Sequence, residues 1–325
     1  MKARLSFLLL TMTVLVVPST AQTVRTVSIA YSGTTATVTM TDDISSYVTV
    51  QSGTSSHVKI VQSDQVSVTT GEIYYVLSGV TTDGEFYLEG NYKCTLTLSG
   101  VSITNPSGPA INIQNGKRVE VSIKNGTTSR LVDGVNDDYN GAYHCKGHTK
   151  FKGKGALYVT GNSKHAIYSK EYIEVKNCTI NVVSAVKDGM HSKEYFLLES
   201  GAINIASATD DGIQVELKET TSTGATADHE DEDSGNFYMT GGTLTISNVG
   251  SKCIKAYGTI HLTGGTMNFD TSNIKENATD GMAVIETAGA AGTVNYDLDG
   301  RRLGALKPSG ITLVKEGNTV RKVIR

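Results

Sequence analysis

Two stretches of the chain, CTINVVSAVKDGM at residues 178–190 and GAINIASATDDGI at residues 201–213, are copies of one pattern. Each begins with a small residue, continues with alternating apolar residues and ends in an Asp-Gly turn followed by an apolar residue. Gly189 and Gly212 hold the same place in the two copies, so the pattern has a period of about 23 residues, and a fixed period in this range is typical of one structural unit that is stacked on itself.

The same period extends beyond these two copies. After Gly201 the next strand start is Gly242, which lies one period plus an insertion of about 18 residues further on, at roughly 218–235, as expected if the same unit continues after an interruption. The turn recurs unaltered at Asp280-Gly281-Met282 and with altered residues at His165-Ala166-Ile167 and Lys252-Cys253-Ile254. Markers that share one period indicate a single repeating coil with one interruption.

Within each copy the apolar residues alternate with polar ones, as Leu244 and Ile246 do with Thr243 and Thr245. Alternation with a period of two in Val-, Ile- and Thr-rich segments indicates half-buried strands. Short strands could also build a sandwich or a barrel. The fixed period favours a solenoid, so we predict an all-β fold, a single-stranded parallel β-helix with coils of about 23 residues. The 34 glycines, four prolines and absent tryptophan suit such a fold.

The chain divides into four predicted parts. Lys2 and Arg4 precede a short apolar run, and small residues precede a cut after Ala21, which is typical of a secretory signal peptide rather than a membrane span. The parts are the signal peptide at 1–21, an N-terminal β cap at 22–70, the β-helix at 71–287 and a short C-terminal β-module at 293–325. We therefore expect a secreted protein, with a polar cap at the first coil, as solenoids require.

Composition limits the partners and the cross-links. The formal net charge of -3 and the pI near 6.2 give no overall signature of nucleic-acid binding, so we expect no nucleic-acid partner. Export permits disulfides, but the spacing of the four cysteines suggests no disulfide framework. We predict small buried cysteines in the coils and a monomeric protein. The cysteines are Cys94, Cys145, Cys178 and Cys253.

The order of several motifs resembles a known family. The motifs are residues 74–79 (YYVLSG), 82–84 (TDG), 96–103 (LTLSGVSI) and 131–134 (LVDG), followed by the Asp-Gly turns and the Gly-Gly-Thr strand starts. Over roughly residues 45–285 they are similar to secreted carbohydrate-binding domain proteins. The resemblance implies a right-handed parallel β-helix of the pectate-lyase architecture, binding of cellulose and acidic plant polysaccharides, and calcium held in the coils.

A second resemblance lies at the C-terminus. Residues 294–302 (VNYDLDGRR) and 310–318 (GITLVKEGN) are similar to the terminal β-module of Gram-negative proteins that leave the cell by type IX secretion. This resemblance implies delivery to the outer cell surface or the medium of a Gram-negative bacterium.

The Asp-Gly turns supply candidate metal ligands. Asp188 and Asp211 hold the same place in adjacent coils and are expected about 5 Å apart. Asp210 is adjacent in sequence, and Asp280 lies in a later turn. Calcium prefers carboxylate and carbonyl oxygens, so these four residues are the predicted calcium ligands. The alternative is that each Asp caps its own turn by accepting backbone N–H bonds.

A repeated Ser-Lys-Glu-Tyr sequence, at 169–172 and again at 192–195, predicts a ladder of stacked lysines and tyrosines. Aromatic rings offer flat faces to sugars, and lysines pair with uronate carboxylates. The alternative is that the tyrosines pack over the coil edge and the lysines are merely solvated. The candidate carbohydrate-binding residues are Lys170, Tyr172, Lys193, Tyr195, His191 and Tyr168.

Three functions remain open from the sequence. We predict a noncatalytic protein that binds acidic or cell-wall polysaccharide, with calcium at the Asp turns. The first alternative is a calcium-dependent polysaccharide lyase, in which a Lys or Arg would abstract a sugar proton, but no base carries a distinguishing signature. The second is a surface adhesin or structural solenoid. The acidic run at 228–233 is interpreted as a solvated loop, or as a lid that adds calcium ligands or repels anionic polymers.

Overall fold

The computed structural model describes residues 24–67, 70–218 and 232–278, and four strands nearer the C-terminus. The predicted signal peptide and Asp280 lie outside the described residues, as does the acidic run before residue 232. Within the described part, strands dominate and the one short helical turn is Asp42–Ile44. No helix found there is long and apolar enough to cross a membrane.

The strands form three stacks of parallel neighbours that run along the solenoid. Sheet one contains Cys94–Leu98, Val119–Ile123, Thr149–Gly153, Ile173–Val175, Tyr195–Leu198, Asn236–Met239 and Ile260–Leu262. Sheet two contains Ser102–Thr104, Thr128–Val132, Ala156–Gly161, Thr179–Ala185, Ala202–Ala208, Thr243–Val249 and Thr266–Asn268. The long strand Ile73–Thr81 pairs with the first strand of each, so it joins the two sheets.

Sheet three completes each coil and carries the site described below. Its strands are Val48–Val50, His57–Gln62, Glu85–Glu89, Ile111–Ile113, Gly141–Cys145, His165–Ser169, Met190–Lys193, Ile213–Glu216, Ile254–Ala256 and Ile274–Lys275. All neighbouring pairs in it are parallel except the first, Val48–Val50 with His57–Gln62, which is antiparallel.

The pairing register reproduces the sequence period. In sheet two, Ile180 pairs with Ile203, Ile203 with Leu244, and Leu244 with Met267. Each of these steps is one sequence period, and the second step also spans the insertion. Ile180, Ile203 and Leu244 are fully buried, whereas their polar neighbours face outward. The predicted parallel β-helix, interrupted once by the insertion, is therefore confirmed. In sheet three, Ile254 pairs with Ile274. Residues 272–273 therefore hold, in their coil, the turn position that residues 252–253 hold in the coil before.

The two ends of the chain carry antiparallel strands. Thr26–Ser32 pairs with Thr35–Met40 and lies parallel to Ile73–Thr81, so this hairpin borders the first coil. Towards the C-terminus a separate four-stranded antiparallel sheet is formed by Arg302–Leu303, Val294–Tyr296, Ile311–Glu316 and Thr319–Ile324. The four cysteines are buried, as the sequence analysis predicts, and none of them forms a disulfide.

The glycines of the turns Asp188-Gly189 and Asp211-Gly212 are required by close stacking of the coils. A Cβ atom on Gly189 would lie 2.7 Å from the carbonyl oxygen of Gly212, and one on Gly212 would lie 2.6 Å from that of Cys253. Both contacts are with backbone of the next coil, which cannot move aside as a side chain can. The turn pattern thus reflects packing between coils.

We expect Gly212→Ala to lower the free energy of unfolding by about 1–3 kcal/mol, as overpacking does in well-packed sites. The matched control is Gly116→Ala, where an added Cβ meets nothing within 4 Å. Both changes reduce the entropy of the unfolded chain equally, so the control should be neutral or stabilising by up to about 1 kcal/mol. Urea unfolding of both variants measures the difference, and equal stabilities would contradict the stacking argument.

Candidate functional site

A row of side chains on the outer face of sheet three runs across successive coils. His144 pairs with Tyr168, Tyr168 with His191, and His191 with Gln214. Their sequence neighbours Ile167 and Met190 point into the core and are fully buried. We call this set the outer row: Tyr87, Asn112, His144, Tyr168, His191, Gln214 and Lys255.

The rings of the outer row stack because the strands that carry them are neighbours. The ring centroids of His144 and Tyr168 are 5.3 Å apart with planes at 16°, and those of Tyr168 and His191 are 5.4 Å apart at 29°. Burial, followed by the nearby lysines, lowers the pKa of His144 to about 4, so this ring is neutral at pH 7. We call this stack of rings, which the pairing of the strands holds in place, the aromatic edge.

The outer row borders a cleft of about 390 Å³. Five residues that the sequence assigned to two separate sites meet in it: Tyr168, Asp188, His191, Lys193 and Asp210. The cleft also brings in residues that the sequence analysis did not select. These are Asn140, Lys164, His165, Lys187, Gln214, Glu216 and Lys255.

A cluster of two imidazoles and one carboxylate lies in the cleft. Asp188 Oδ2 is 2.9 Å from His191 Nδ1 and 3.1 Å from His165 Nδ1, and the two imidazole centroids are 4.4 Å apart. Burial alone would raise the pKa of Asp188, but the two adjacent imidazoles outweigh burial and hold the pKa well below its usual range. Asp188 is therefore ionised at neutral pH.

The two histidines of this cluster differ in charge. Burial alone would lower the pKa of His191, but its bonds to Asp188 and Glu216 outweigh burial and raise it. For His165 burial prevails and lowers the pKa, and a charge on His191 adds to this effect. Glu216 lies 3.5 Å from His191 Nε2. Burial alone would raise the pKa of Glu216, but its contacts with His191 and Lys193 outweigh burial and lower the pKa to about 2. The pKa of His191 is therefore the higher of the two, so a proton shared by this cluster favours His191 over His165.

The acidic turns also act as caps between coils. Asp188 Oδ1 accepts the N–H of Asp211 at 3.1 Å, and Asp211 Oδ1 accepts the N–H of Lys252 at 2.8 Å. In the preceding coil His165 Nδ1 accepts the N–H of Asp188 at 3.3 Å. Accepting this bond places the proton of His165 on Nε2, in agreement with a neutral ring, so the imidazole that donates to Asp188 Oδ2 is His191. Each Asp therefore caps a backbone N–H as the capping alternative expects, but in the following coil rather than in its own turn, and one oxygen of each Asp is left for other partners.

Asp188, Asp210 and Asp211 offer carboxylate oxygens that all lie within 4.8 Å of one another. Asp211 is fully buried, and its Oδ2 has no hydrogen bond but faces Lys255 Nζ at 3.5 Å. Burial and the charges of Asp211 and Asp188 raise the pKa of exposed Asp210. A crowded set of carboxylates suits calcium in its donor atoms, while Lys255 partly supplies the neutralising charge.

The predicted platform of Tyr172 and Tyr195 needs correction. Their rings do stack, with centroids 4.7 Å apart and planes at 27°, but both side chains are 0% exposed. His148 covers Tyr172, with centroids 4.2 Å apart and planes at 11°. Because buried rings cannot offer a face to a sugar, the stack is part of the coil edge. Lys170 is exposed but does not line the cleft.

Four charged side chains that the sequence analysis did not select lie above this tyrosine stack. We call them the corner tetrad: His148, Glu171, Glu194 and Lys218. His148 Nε2 lies 2.6 Å from Glu171 and 3.2 Å from Glu194, while Lys218 Nζ lies 2.5 Å and 3.0 Å from the same two carboxylates. Glu171 and Glu194 belong to the repeated Ser-Lys-Glu-Tyr sequence, so the repeat could have identified them as neighbouring carboxylates.

The corner tetrad lies where the insertion leaves the coil. The N–H of Lys218 donates to Asp233 Oδ1 at 2.9 Å, so the two ends of the insertion are held together. Glu232 and Asp233, the last residues of the acidic run, are 1% and 4% exposed. The interpretation of the run as a solvated loop is therefore wrong for these two residues.

Comparison with known proteins agrees with this architecture. A family model described as "Carbohydrate-binding domain-containing protein" matches residues 62–303. A solved structure of a polysaccharide lyase-like protein from C. thermocellum, a gadolinium derivative, is similar with a TM-score of 0.57 and 20% identity. The match covers 77% of this chain and 99% of that one, and at this identity it shows the fold alone. No curated protein matches the chain.

The corner tetrad predicts a specific pH dependence of stability. Burial alone would lower the pKa of His148, but its bonds to Glu171 and Glu194 raise it to about 9. Because the folded-state pKa exceeds the unfolded value near 6.5, the charge of His148 stabilises the fold fully below about pH 6.5. This contribution is lost as the pH rises through about 9.

We therefore expect the destabilisation caused by His148→Phe, which keeps a ring over Tyr172, to be largest at pH 6 and to shrink towards pH 10. Thermal unfolding of both proteins across this range measures it. His57→Phe, which removes an exposed ion pair with Asp83, is the control and should show little effect. A destabilisation that does not vary with pH would contradict the charged role of His148.

Proposed function

We propose that this chain, which belongs to the carbohydrate-binding domain-containing protein family, binds acidic polysaccharide at the cleft of sheet three without cleaving it. The observation that carries the proposal is the meeting of lysines with a stacked aromatic edge in one cleft. Family membership supports carbohydrate binding in general. The acidic class of glycan is inferred from the charges of the cleft.

The cleft is lined by four lysines and three carboxylates, so cations are in excess. Lys164, Lys187, Lys193 and Lys255 line it, and Lys187 is exposed. Lys193 Nζ lies 3.1 Å from Glu216, so this ammonium group is held in place at the surface. Ammonium groups in a concave site attract carboxylates of a uronate chain by a long-range field as well as by contact. A neutral glycan would gain nothing from this field.

The outer row adds apolar contact to these charges. Tyr168 is 7% exposed and lies between His144 and His191, so it presents an edge rather than a face. Lys170 follows Ser169, which pairs with Ser192, so it stands one coil before Lys193 in the same position. We propose that Lys170 extends the binding surface beyond the cleft, so that a chain crossing the coils meets successive cations.

Calcium remains part of the proposal. Asp210 and Asp211 Oδ2, together with Asp188, would provide carboxylate ligands at one edge of the cleft. When bound there, calcium would add positive charge next to the glycan and so favour uronates. Lys255 would have to turn away from Asp211. A site that competes with a lysine is expected to bind calcium weakly.

We also propose export of the protein, on the evidence of residues 1–21 and of the C-terminal resemblance. Release of the chain into the medium by its native host, beginning at residue 22, would support this.

Binding is tested by retention on insoluble polygalacturonate. Lys187→Gln with Lys193→Gln should lower retention severalfold, since each exposed ion pair is worth roughly 0.2–1 kcal/mol, and added salt should lower it further. The matched control is Lys152→Gln with Lys176→Gln, which removes the same charge from one exposed position in sheet one and one directly after a strand of it.

Equal retention of the two double variants would contradict the cleft as the binding site. Retention of no acidic glycan by the unaltered protein would favour a structural solenoid. Release of product absorbing as unsaturated uronide would replace the noncatalytic assignment with a lyase.

The calcium proposal predicts that Asp210→Asn weakens calcium binding measured by calorimetry in the absence of glycan. Lys255→Met should strengthen it, because the competing ammonium is removed. Asp83→Asn, at an exposed carboxylate paired with His57, is the control and should leave it unchanged. Identical heats for Asp210→Asn and Asp83→Asn would overturn the assignment of the site.

A further inference from the structure

We propose that His165, Asp188 and His191 form a binding site for a transition-metal ion of the zinc class, with an open position towards the cleft. The proposal goes beyond glycan binding and does not depend on it. It joins an imidazole that the sequence assigned to glycan and a carboxylate that it assigned to calcium.

The geometry of the cluster is that of converging ligands. Both Nδ1 atoms approach the same oxygen, Asp188 Oδ2, at 2.9 and 3.1 Å, and one donor atom from each residue lies within 4.8 Å of the others. The three residues are 7%, 2% and 5% exposed in sequence order. They come from two adjacent coils, so the coil stacking fixes their spacing.

The donor set selects the class of ion. Two imidazole nitrogens and one carboxylate oxygen are the ligands of catalytic zinc sites, which keep a fourth position open. Calcium and magnesium prefer oxygen ligands alone, so this cluster disfavours them. The carboxylates of Asp210 and Asp211, which suit calcium, form a second group with Asp188. Asp188 therefore belongs both to an oxygen-rich group and to a nitrogen-rich one.

Groups around the cluster hold the ligands in place, as metal sites require. Asp188 Oδ1 is fixed by the N–H of Asp211, which leaves Oδ2 to the imidazoles. His191 Nε2 faces Glu216, and Gln214 Nε2 donates to that carboxylate at 2.6 Å. A carboxylate behind a ligating histidine raises the basicity of the ligand. The bond from the Asp188 N–H to His165 Nδ1, at 3.3 Å, is long, and the ion would replace it.

The corner tetrad is a similar cluster of donor atoms, but its carboxylates are already paired with a cation from the protein itself. His148, Glu171 and Glu194 also bring three donor atoms within 4.8 Å, but the ammonium of Lys218 bonds to both carboxylates. That lysine supplies the cation from within the chain. In the cleft cluster, Asp188 Oδ2 instead faces two imidazoles, which are themselves metal ligands.

The test uses the purified protein without a histidine tag. Calorimetry with zinc chloride should show one strong site per chain, and cobalt(II) should give visible absorption typical of nitrogen and oxygen ligands. His165→Ala and His191→Ala should abolish the site. Glu216→Gln, which keeps all three ligands, should weaken zinc binding by about 10–100-fold. His57→Ala is the control for general histidine binding and should change nothing.

Circular dichroism and the unfolding temperature establish that each variant is folded, and Glu216→Gln serves as the milder variant if an alanine variant is not. The proposal is overturned if the unaltered protein binds no zinc. It is also overturned if zinc binding survives in folded His191→Ala but is lost in His148→Phe, which would place the ion at the corner tetrad. Displacement of cobalt by a small excess of calcium would contradict the inferred donor set.

Discussion

The in-register parallel pairing between coils governs the rest of this molecule. Each residue lies about 4.8 Å from its counterpart in the next coil, so a repeated sequence places like side chains directly against one another. For aromatic residues this is favourable, and Tyr172 stacks on Tyr195. For acidic residues it is costly, because two carboxylates at that distance repel by roughly 3–4 kcal/mol near a protein surface. Every acidic column must therefore be neutralised by something outside the column.

The structure meets this requirement in two ways. Glu171 and Glu194 share two cations, His148 and Lys218, one of which comes from the base of the insertion. Asp188 and Asp211 instead each accept a backbone N–H from the following coil and then face a basic side chain with the other oxygen. The cleft lies beside the column of Asp188 and Asp211, because the basic partners of these two residues lie on the outer face of sheet three.

The sequence was sufficient for the coil, its period and the place of the insertion, because alternation and spacing report directly on strand pairing. It correctly stacked Tyr172 on Tyr195 but placed both on an exposed face. Periodicity determines which residues are neighbours, whereas burial at a corner depends on side chains from elsewhere, here His148. The turn at His165 looked like a break in the acidic column. In the structure its Nδ1 performs the same capping of the next coil that an Asp oxygen performs.

Histidine at position 165 explains why the cleft contains two imidazoles rather than one. An Asp at position 165 would cap the N–H of Asp188 equally well, but it would add a third carboxylate to the column and leave His191 as the lone imidazole. Histidine preserves the cap and avoids the added repulsion, because a neutral ring accepts one hydrogen bond without carrying charge. Histidine also changes a column that would offer only oxygen ligands into one that offers both nitrogen and oxygen ligands. Where the column changes from histidine to aspartate, hard and borderline cations would find different ligands within one coil of each other.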